Sequence, residues 1–420
     1  MRKPPSLTRR LQWRLEYAVY LIVEKTVGCL SLPMAARLGA GLGELGGRFL
    51  KGKRLIVRRN LRIAFAGEKS LAEIETLVDE VFRRTGANLV ASLCTATLDE
   101  KRLKQAIELE NAEVLTASFD EEAGVIGMLA HMGNWEALAQ MFPRIIPGGR
   151  RVGDIYRRLS NSLLDERVQA TRRQVGLELF AKGESPFSLA AFVKAGGALG
   201  VMSDQRAETA GEILPYFNRL TSCTPLPSLL ARRAGAKVLA ISMRTIAPGR
   251  WRLKLHPLAG EPTTERCMQL LEEVIRESPA DIFWMQDRWR LNKNQPLVVN
   301  GKLVRGIDPQ ASAKRRRTLV WLEAGLAESP ALPKGQPDDL KFEYVFPAGA
   351  DRPEWLPTDA IVHVRRRGES RDEIREDLRV IDGREVLPVD LVFSPRATLA
   401  LAKACRREGM GLVQAEDFLK

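Results

Sequence analysis

The sequence predicts an α/β fold, in which a layered sheet flanked by helices follows an amphipathic helical region and precedes a smaller α/β unit. Three observations carry this reading. Short β-rich runs, Val125 to Ala130, Leu199 to Met202 and Val238 to Met243, alternate with helical patterns such as Leu229 to Ala234, as in a largely buried sheet covered by helices. The first 105 residues read instead as helical throughout. A second set of strand-like runs begins at Thr318, after a tract of small and basic residues. With 420 residues, 45% of them hydrophobic and 28% charged, the chain can bury a sizeable core, and its length suits about two to three domains.

In the helical region, Leu11, Leu15, Ala18, Val19, Ile22 and Val23 recur at helical spacing. Arg2, Lys3, Arg9, Arg10 and Arg14 stand among and ahead of them, with no acid before Glu16. A second basic cluster follows in Lys51, Lys53, Arg54, Arg58, Arg59 and Arg62. Two arrangements fit: a basic amphipathic helix lying in a bilayer interface, or a core helix with a solvated basic edge. No apolar run reaches the 18 or so residues of a spanning helix, and no cleavage site follows a clean apolar core. Gly41-Leu42-Gly43-Glu44-Leu45-Gly46 spells GxGxxG. The residues before it, Leu32 to Leu38, read as helix or loop, whereas the dinucleotide turn needs a strand there. These glycines fit close packing against another helix or a lipid surface. Ser70-Leu71-Ala72-Glu73 is a capping box, and Ile74, Leu77, Val78, Val81 and Phe82 follow on one helical face.

Lys and Arg number 65 against 52 Asp and Glu, a net charge of +13, which suits an anionic partner such as nucleic acid, acidic lipid or an acidic carrier protein. Aromatic residues are only 6% and no recognition motif is present, which argues against nucleic acid. The five cysteines are far apart and form no CxxC, so a zinc ribbon and a disulfide scaffold are excluded and a reducing cytosol is expected. Neither G-x-S-x-G nor H-E-x-x-H occurs, and no metal or cofactor is expected.

The chemistry-bearing pattern is His131-Met132-Gly133-Asn134-Trp135-Glu136, an H-x4-E. His256 to Glu261 fits the same pattern, so context must separate them. His131 follows the apolar run Val125 to Ala130 and should sit at the carboxyl end of a buried strand, where open α/β sheets place ligand sites. Gly133 allows a tight turn, Asn134 is a good N-cap, and Glu136 would lie in the first turn of the next helix, back towards the imidazole. His256 precedes a proline and reads as part of an exposed turn. A close His–carboxylate pair suits general-base catalysis, with the carboxylate fixing the tautomer. A histidine satisfied at a strand end is the other reading. No serine or cysteine nucleophile stands beside it, so the hydroxyl activated would be the acceptor's own.

These residues, with those around them, resemble the bacterial late acyltransferases of lipid A biosynthesis, the lauroyl/myristoyl transferase family, over residues 10 to 297. The resemblance rests on Arg58-Arg59-Asn60-Leu61-Arg62; on His131 to Glu136, matching the catalytic H-x4-D/E; and on Tyr156-Arg157 with Asn161 and Leu164. It continues through Ser203-Asp204-Gln205, Pro215-Tyr216-Phe217 with Thr224-Pro225, and Trp284 to Arg290, a closing W-x-x-x-R-W-R. Gln286 stands where the family often has histidine, and Asn218 where glycine is usual.

The resemblance implies an acyltransferase-type fold. It also implies transfer of a fatty acyl chain from acyl carrier protein, or acyl-CoA, to a hydroxyl of a lipid A precursor at the cytoplasmic face of the inner membrane. His131 would be the base and Glu136 its partner. Asn134, Tyr156, Arg157, Asn161, Asp204, Gln205 and Arg288 would bind substrate or order the site. Arg157 also reads as a surface ion-pair partner, and Asp204 as a strand-end cap. Another glycolipid acceptor, such as a phosphatidylinositol mannoside, or a basic membrane- or glycolipid-binding protein without turnover, stays open.

The domain plan is then a membrane-docking helical region over 1–105, an α/β acyltransferase core over 106–300, a basic linker over 301–317 and a small α/β unit over 318–420. In the last, Thr318 to Leu322, Phe342 to Phe346, Ala360 to Val364 and Pro388 to Phe393 read as strands, and Ala397 to Arg407 as a helix closed by Gly409. Arg365-Arg366-Arg367 reads as a solvated strand end. No catalytic constellation stands out in this unit, so truncation near Asp308 is expected to leave acyl transfer intact.

Overall fold

The computed structural model describes residues 6–96, 98–119, 124–207, 211–290, 298–299, 302–303, 314–323, 340–365 and 369–414. The chain opens with helices α1 (Leu7–Gly28), α2 (Leu32–Phe49), α3 (Lys51–Phe65), α4 (Leu71–Thr95) and α5 (Glu100–Ala106). The first mixed region is β1 (Ile107–Glu110), α6 (Ala112–Ser118), β2 (Val125–Leu129), α7 (Trp135–Ile145), β3 (Val152–Tyr156), α8 (Ser162–Gln174), β4 (Leu177–Ala181), α9 (Pro186–Lys194) and β5 (Ala198–Met202). It continues through β6 (Glu212–Tyr216), β7 (Arg219–Cys223), α10 (Leu226–Ala234), β8 (Lys237–Ala247), β9 (Arg250–Pro257) and α11 (Thr264–Glu277). Two-residue strands β10 (Val298–Val299) and β11 (Lys302–Leu303) precede β12 (Arg316–Trp321), β13 (Leu340–Phe346), β14 (Ile361–Val364), α12 (Arg371–Asp382), β15 (Val389–Ser394), α13 (Leu399–Glu408) and β16 (Gly411–Gln414).

The chain forms two compact units, each discontinuous in sequence. The first comprises the chain to Leu50, Asp79–Gln205 and Thr224–Phe283; the second comprises Lys51–Val78, Arg206–Cys223 and Trp284–Lys420.

The first unit is built on a seven-stranded sheet in the order β1-β9-β8-β2-β5-β3-β4. The five strands from β8 to β4 are mutually parallel, and β9 runs antiparallel to β8. Its centre, β2, is buried at every residue but Gly127, which explains its uninterrupted apolar run. The GxGxxG glycines lie inside α2, and Gly43 and Gly39 serve close contact with α4: a Cβ on Gly43 would meet the Phe82 carbonyl oxygen at 2.2 Å, and one on Gly39 the Gly86 oxygen at 2.3 Å. The capping box before α4 forms both reciprocal bonds, Ser70 N to Glu73 at 2.8 Å and Glu73 N to Ser70 Oγ at 3.3 Å.

The second unit holds a five-stranded parallel sheet in the order β14-β13-β12-β15-β16, covered in part by α12 and α13. It also contains α3 and the β6–β7 hairpin, joined to the C-terminal sheet by buried charge. Asp390 on β15 accepts from Arg59 of α3 and from Arg219 of β7, and Arg219 is fully buried. Arg62 bonds the Asp382 side chain and the carbonyls of Asp382, Glu385 and Val386. Lys314 Nζ donates to the Ala64 carbonyl at 2.7 Å. Composition assigns Lys314 to Arg317 to the linker; Arg316 and Arg317 in fact open β12, and both are buried with Lys314. Most of the 301–317 tract lies outside the described residues, as do Arg366 and Arg367. Arg365 is buried rather than solvated and donates to the Leu322 carbonyl.

The hairpin turns on Phe217-Asn218, both with positive φ (51° and 58°), so Asn218, which tolerates that region, suits a site where glycine is usual. Phe217 is packed by Phe65, Tyr216, Trp284 and Trp289.

Candidate active site

The site belongs to the first unit and arises from register. β2 and β5 pair in parallel with Leu129 opposite Met202. Two residues beyond, the same offset brings His131 and Asp204 together: Nδ1 lies 3.0 and 3.2 Å from the carboxylate oxygens, and the His131 backbone N–H donates to Asp204 at 3.1 Å. Facing a carboxylate, Nδ1 carries the proton and Nε2 is left as the basic nitrogen. Gln205 Nε2 lies 3.3 Å from both ring nitrogens, and the Trp135 ring stands edge-on at 5.4 Å.

The turn after β2 is fixed from both sides. Phe283 N donates to the His131 carbonyl and Gly133 N to that of Asp281, both at 2.9 Å. The buried Asp281 carboxylate accepts from Arg84, Ser278 and the backbone and hydroxyl of Thr245. Gly133 has φ +57°, and a Cβ there would meet the Met243 oxygen at 2.1 Å, so glycine is required. Asn134 caps α7 as its residue type suggests, accepting from Ala137 N at 3.0 Å, and its amide reaches Thr95.

Glu136 lies in the first turn of α7 but is not the hydrogen-bonded partner of His131. Its carboxylate takes Arg172 Nη2 at 2.8 and 3.1 Å, and Arg172 Nη1 reaches Asp154 of β3 at 3.2 Å. A guanidinium on α8 holds Glu136 more strongly than a neutral ring could, while the register of β2 and β5 supplies a different carboxylate to the histidine. Burial lowers the pKa of His131, but the charge and hydrogen bond of Asp204, with the charges of Glu136 and Asp154, outweigh it and raise the net value. Burial pushes Asp204 up, and His131 with backbone N–H donors brings it below the usual aspartate value.

The remaining sequence candidates divide. Tyr156 is buried, donates to Asp165 at 2.8 Å and lies under the Arg172 guanidinium. Asn161 caps α8 and ties it to α1 through the Trp13 carbonyl and Glu16. Arg157 is exposed just beyond β3. Arg288 belongs to the second unit, where it bonds Thr221 and Ser222 of β7 and covers the Tyr216 ring. Arg172 and Asp154 escaped the sequence reading; charged residues on a helix face and within a strand give no signal until the fold joins them. The decoy His256 lies in β9, not in an exposed turn, and meets Ser242 at 3.1 Å.

Next to Trp135, whose ring meets His131, is an apolar cavity of about 660 Å³, its open mouth included. Leu129, Leu138, Phe142 and Ile241 are among its walls, and Trp135, Asp154 and Arg172 also line it. Gly127 and Gly200 lie opposite each other on β2 and β5, and the side chains they omit leave room in it.

The chain resembles curated proteins over most of its length. It is 25% identical over 276 residues to the lipid A biosynthesis palmitoleoyltransferase of Escherichia coli K12, spanning 62% of this chain and 86% of the relative. The same figures hold for a lipid A biosynthesis acyltransferase of Shigella flexneri. The lipid A biosynthesis lauroyltransferase of E. coli K12 is 24% identical over 289 residues, 67% of this chain and 91% of the relative. Residues 7–291 match the family described as bacterial lipid A biosynthesis acyltransferase, a span that contains His131, Asp204 and the whole cavity lining. The chain therefore belongs to the bacterial lipid A biosynthesis acyltransferase family and is an O-acyltransferase.

Proposed function

We propose that the chain moves a fatty acyl group from a thioester of acyl carrier protein or coenzyme A to a hydroxyl of a lipid A precursor, with His131 as general base. The observation that carries this is the His131–Asp204 pair beside a cavity walled by apolar side chains. Nε2 takes the acceptor's proton as its oxygen attacks the thioester carbonyl. The tetrahedral intermediate collapses, the C–S bond breaks, and the imidazolium returns the proton to the departing thiolate. Asp204 holds the tautomer and stabilises the imidazolium. Gln205 donates to Nε2 until the acceptor hydroxyl displaces it. The N-terminus of α7 favours the negative charge that develops on the carbonyl oxygen. Glu136 orders Arg172 at the polar end of the cavity, and the cavity receives the acyl chain.

The enzyme works from the cytoplasmic face of the inner membrane, docked in the interface by α1 and α2. Leu7, Leu11, Leu15, Val19 and Ile22 on α1, and Met34, Leu38, Leu42, Leu45 and Phe49 on α2, are all about half exposed or more. Arg9, Arg10 and Arg14 are exposed on α1. Such a face suits apolar burial combined with attraction to anionic headgroups. Among the described residues no helix is long and apolar enough to cross a membrane.

The test is mass spectrometry of a lipid A precursor incubated with acyl thioesters and either wild type, His131→Ala or Asp204→Asn. A new acyl ester formed by wild type, and by neither variant at comparable rate, supports the reading. Undiminished product from His131→Ala would sink it.

A further inference from the structure

The cavity has two unlike ends. Along the sheet it runs from the last residues of β2 and β5, Leu129 and Met202, to their first, Val125 and Ala198, and each pair lies in register. Along α7 it follows one helical face, from Trp135 through Leu138 and Phe142 to Ile146. At one end Trp135, Asp154, Arg172 and Met202 are only partly buried, so the mouth lies there, on the His131 side. At the other end Phe119, Val125, Ile146, Val152 and Ala198 are all buried. Among the described residues the cavity is therefore a blind trough, open beside the base and closed at the amino ends of the strands.

Phe119 is the largest side chain at the closed end, and it is held in place. Its N–H donates to the Thr116 carbonyl at 3.0 Å. Its own carbonyl accepts from Arg150 Nη2 at 3.0 Å, and Arg150 Nη1 reaches the Gly196 carbonyl, just ahead of β5, at 3.4 Å. The same guanidinium lies 5.2 Å from the centre of the Phe119 ring, while Arg150 is not among the cavity walls. The depth follows from the elements that line the trough. The four strand steps from Leu129 to Val125, at about 3.3 Å each, span about 13 Å, and the eleven helix steps from Trp135 to Ile146, at about 1.5 Å each, span about 16 Å. An extended alkyl chain gains about 1.25 Å per carbon, a bond of about 1.5 Å at a near-tetrahedral angle. The trough therefore takes about ten to thirteen carbons and leaves the thioester carbonyl at its mouth, towards His131. We infer that Phe119, braced by Arg150, is the floor that sets the length of the donor chain, so that chains of about twelve to fourteen carbons fill the site and longer ones meet the ring. This rests on the acyl-transfer reading above and specifies its donor.

The experiment measures kcat/KM of the full-length enzyme for dodecanoyl, tetradecanoyl and hexadecanoyl thioesters of acyl carrier protein, with a lipid A precursor as acceptor. Wild type is expected to use hexadecanoyl at about a tenth of the dodecanoyl value or less, the scale on which a closed apolar pocket rejects extra methylenes. Phe119→Ala should raise the hexadecanoyl-to-dodecanoyl ratio by about tenfold or more. Phe119→Leu, a smaller change that keeps the site apolar, should raise it less and covers the case in which the alanine variant does not fold. Arg150→Ala, which frees the ring without removing it, should also raise the ratio by less than Phe119→Ala. A purely structural role for Phe119 would lower the rates for all three donors together and leave the ratio where it was. A ratio unchanged in both Phe119 variants overturns the assignment of the floor, and one unchanged in Arg150→Ala removes the brace from it. Equal use of dodecanoyl and hexadecanoyl by wild type overturns the inference while leaving acyl transfer standing. No transfer from any donor overturns both the inference and the reading beneath it.

Discussion

The two units each contain a run of parallel strands, and they differ in what lies on the sheet faces and at the carboxyl ends. In the first, Gly127 and Gly200 thin one face and leave a cavity; in the second, Leu319, Val345 and Val392 fill the corresponding space against Ile374, Leu378 and Leu401. The buried carboxylates differ as well. Asp204 faces an imidazole, a group that gains and loses a proton near neutrality. Asp390 faces Arg59 and Arg219, and Glu343 faces Arg317 and His363, where permanent guanidinium charge fixes the carboxylate state. Parallel architecture alone therefore confers no chemistry. It comes from small residues that leave space and from a titratable partner at the strand end, and each half of this contrast can be broken by substitution.

The largest effect should come from the titratable pair. His131→Ala should reduce kcat/KM by about a thousandfold or more, and Asp204→Asn, which loses control of the tautomer, by between about a hundredfold and ten-thousandfold. The pH profile carries the sign. His131 must be neutral to accept a proton, and its pKa is raised, so the acidic limb of kcat/KM should lie above the ordinary imidazole value of about 6.5. Removing the Asp204 charge should move that limb to lower pH in whatever activity remains. A limb that stays in place in Asp204→Asn would contradict the assignment.

In the second unit the same kind of change should cost stability. Asp390→Ala strands the fully buried Arg219 and leaves Arg59 without its carboxylate, a loss of about 3–5 kcal/mol, measurable by denaturant unfolding. The pKa of Asp390 is depressed: burial raises it, but Arg219, Arg59 and Arg316 more than reverse this. A depressed carboxylate contributes stability that is complete above its unfolded value of about 3.9 and is lost as pH falls below it. Unit 2 should therefore lose stability in that acidic window, and Asp390→Ala should flatten the loss. Truncation near Asp308 removes the partners of Arg59, Arg62 and Arg219 at once, so a misfolded or aggregated product is expected instead of the intact activity that sequence alone suggests.

The difference between these two expectations marks where the sequence is legible. Local signals came through: the buried run of β2, the capping box at Ser70, the Asn134 cap and the Gly409 terminus of α13, which has φ +75°. His131 stands out in the sequence because it ends an apolar run, and Asp204 enters only through the family resemblance, which leaves open substrate binding, ordering of the site or a strand-end cap. Their pairing is not legible, since it depends on which strands become neighbours. Proximity in sequence favoured Glu136, and only the packing of α8 shows Arg172 taking it. The basic tract around Arg59 and Arg62 read as a surface feature because its anions, Asp390 and Asp382, lie more than 300 residues away.

A smaller effect is expected at the glycines that leave the cavity open. A Cβ on Gly127 would press on the flexible tip of Ile241, at 3.1 Å, and make ordinary contact with the Leu199 oxygen at 3.8 Å, so Gly127→Val should fold while taking space from the cavity. Preference should shift towards shorter acyl donors by about tenfold, the scale on which a pocket discriminates a methylene or two. Competition between decanoyl and tetradecanoyl thioesters would measure it. An unchanged ratio would mean that the chain lies elsewhere.

The smallest effect should be at His256, which shares the H-x4-E spacing of His131 and none of its setting. It sits in β9 with Ser242 at 3.1 Å and Glu277 at 3.7 Å, while Glu261 is exposed beyond the strand. Burial lowers its pKa ahead of any charge, whereas the pKa of His131 is raised by a carboxylate in contact. A neutral, half-buried ring holding one hydroxyl stabilises the strand pair by roughly 1 kcal/mol, so His256→Ala should lose about that much and keep kcat/KM within about twofold. The paired measurement on His131→Ala and His256→Ala makes the contrast quantitative, because both remove an imidazole five residues ahead of a glutamate. Equal losses of activity would mean that strand register and the Asp204 contact do not select the base, and the argument from the carboxyl end of β2 would fail with them.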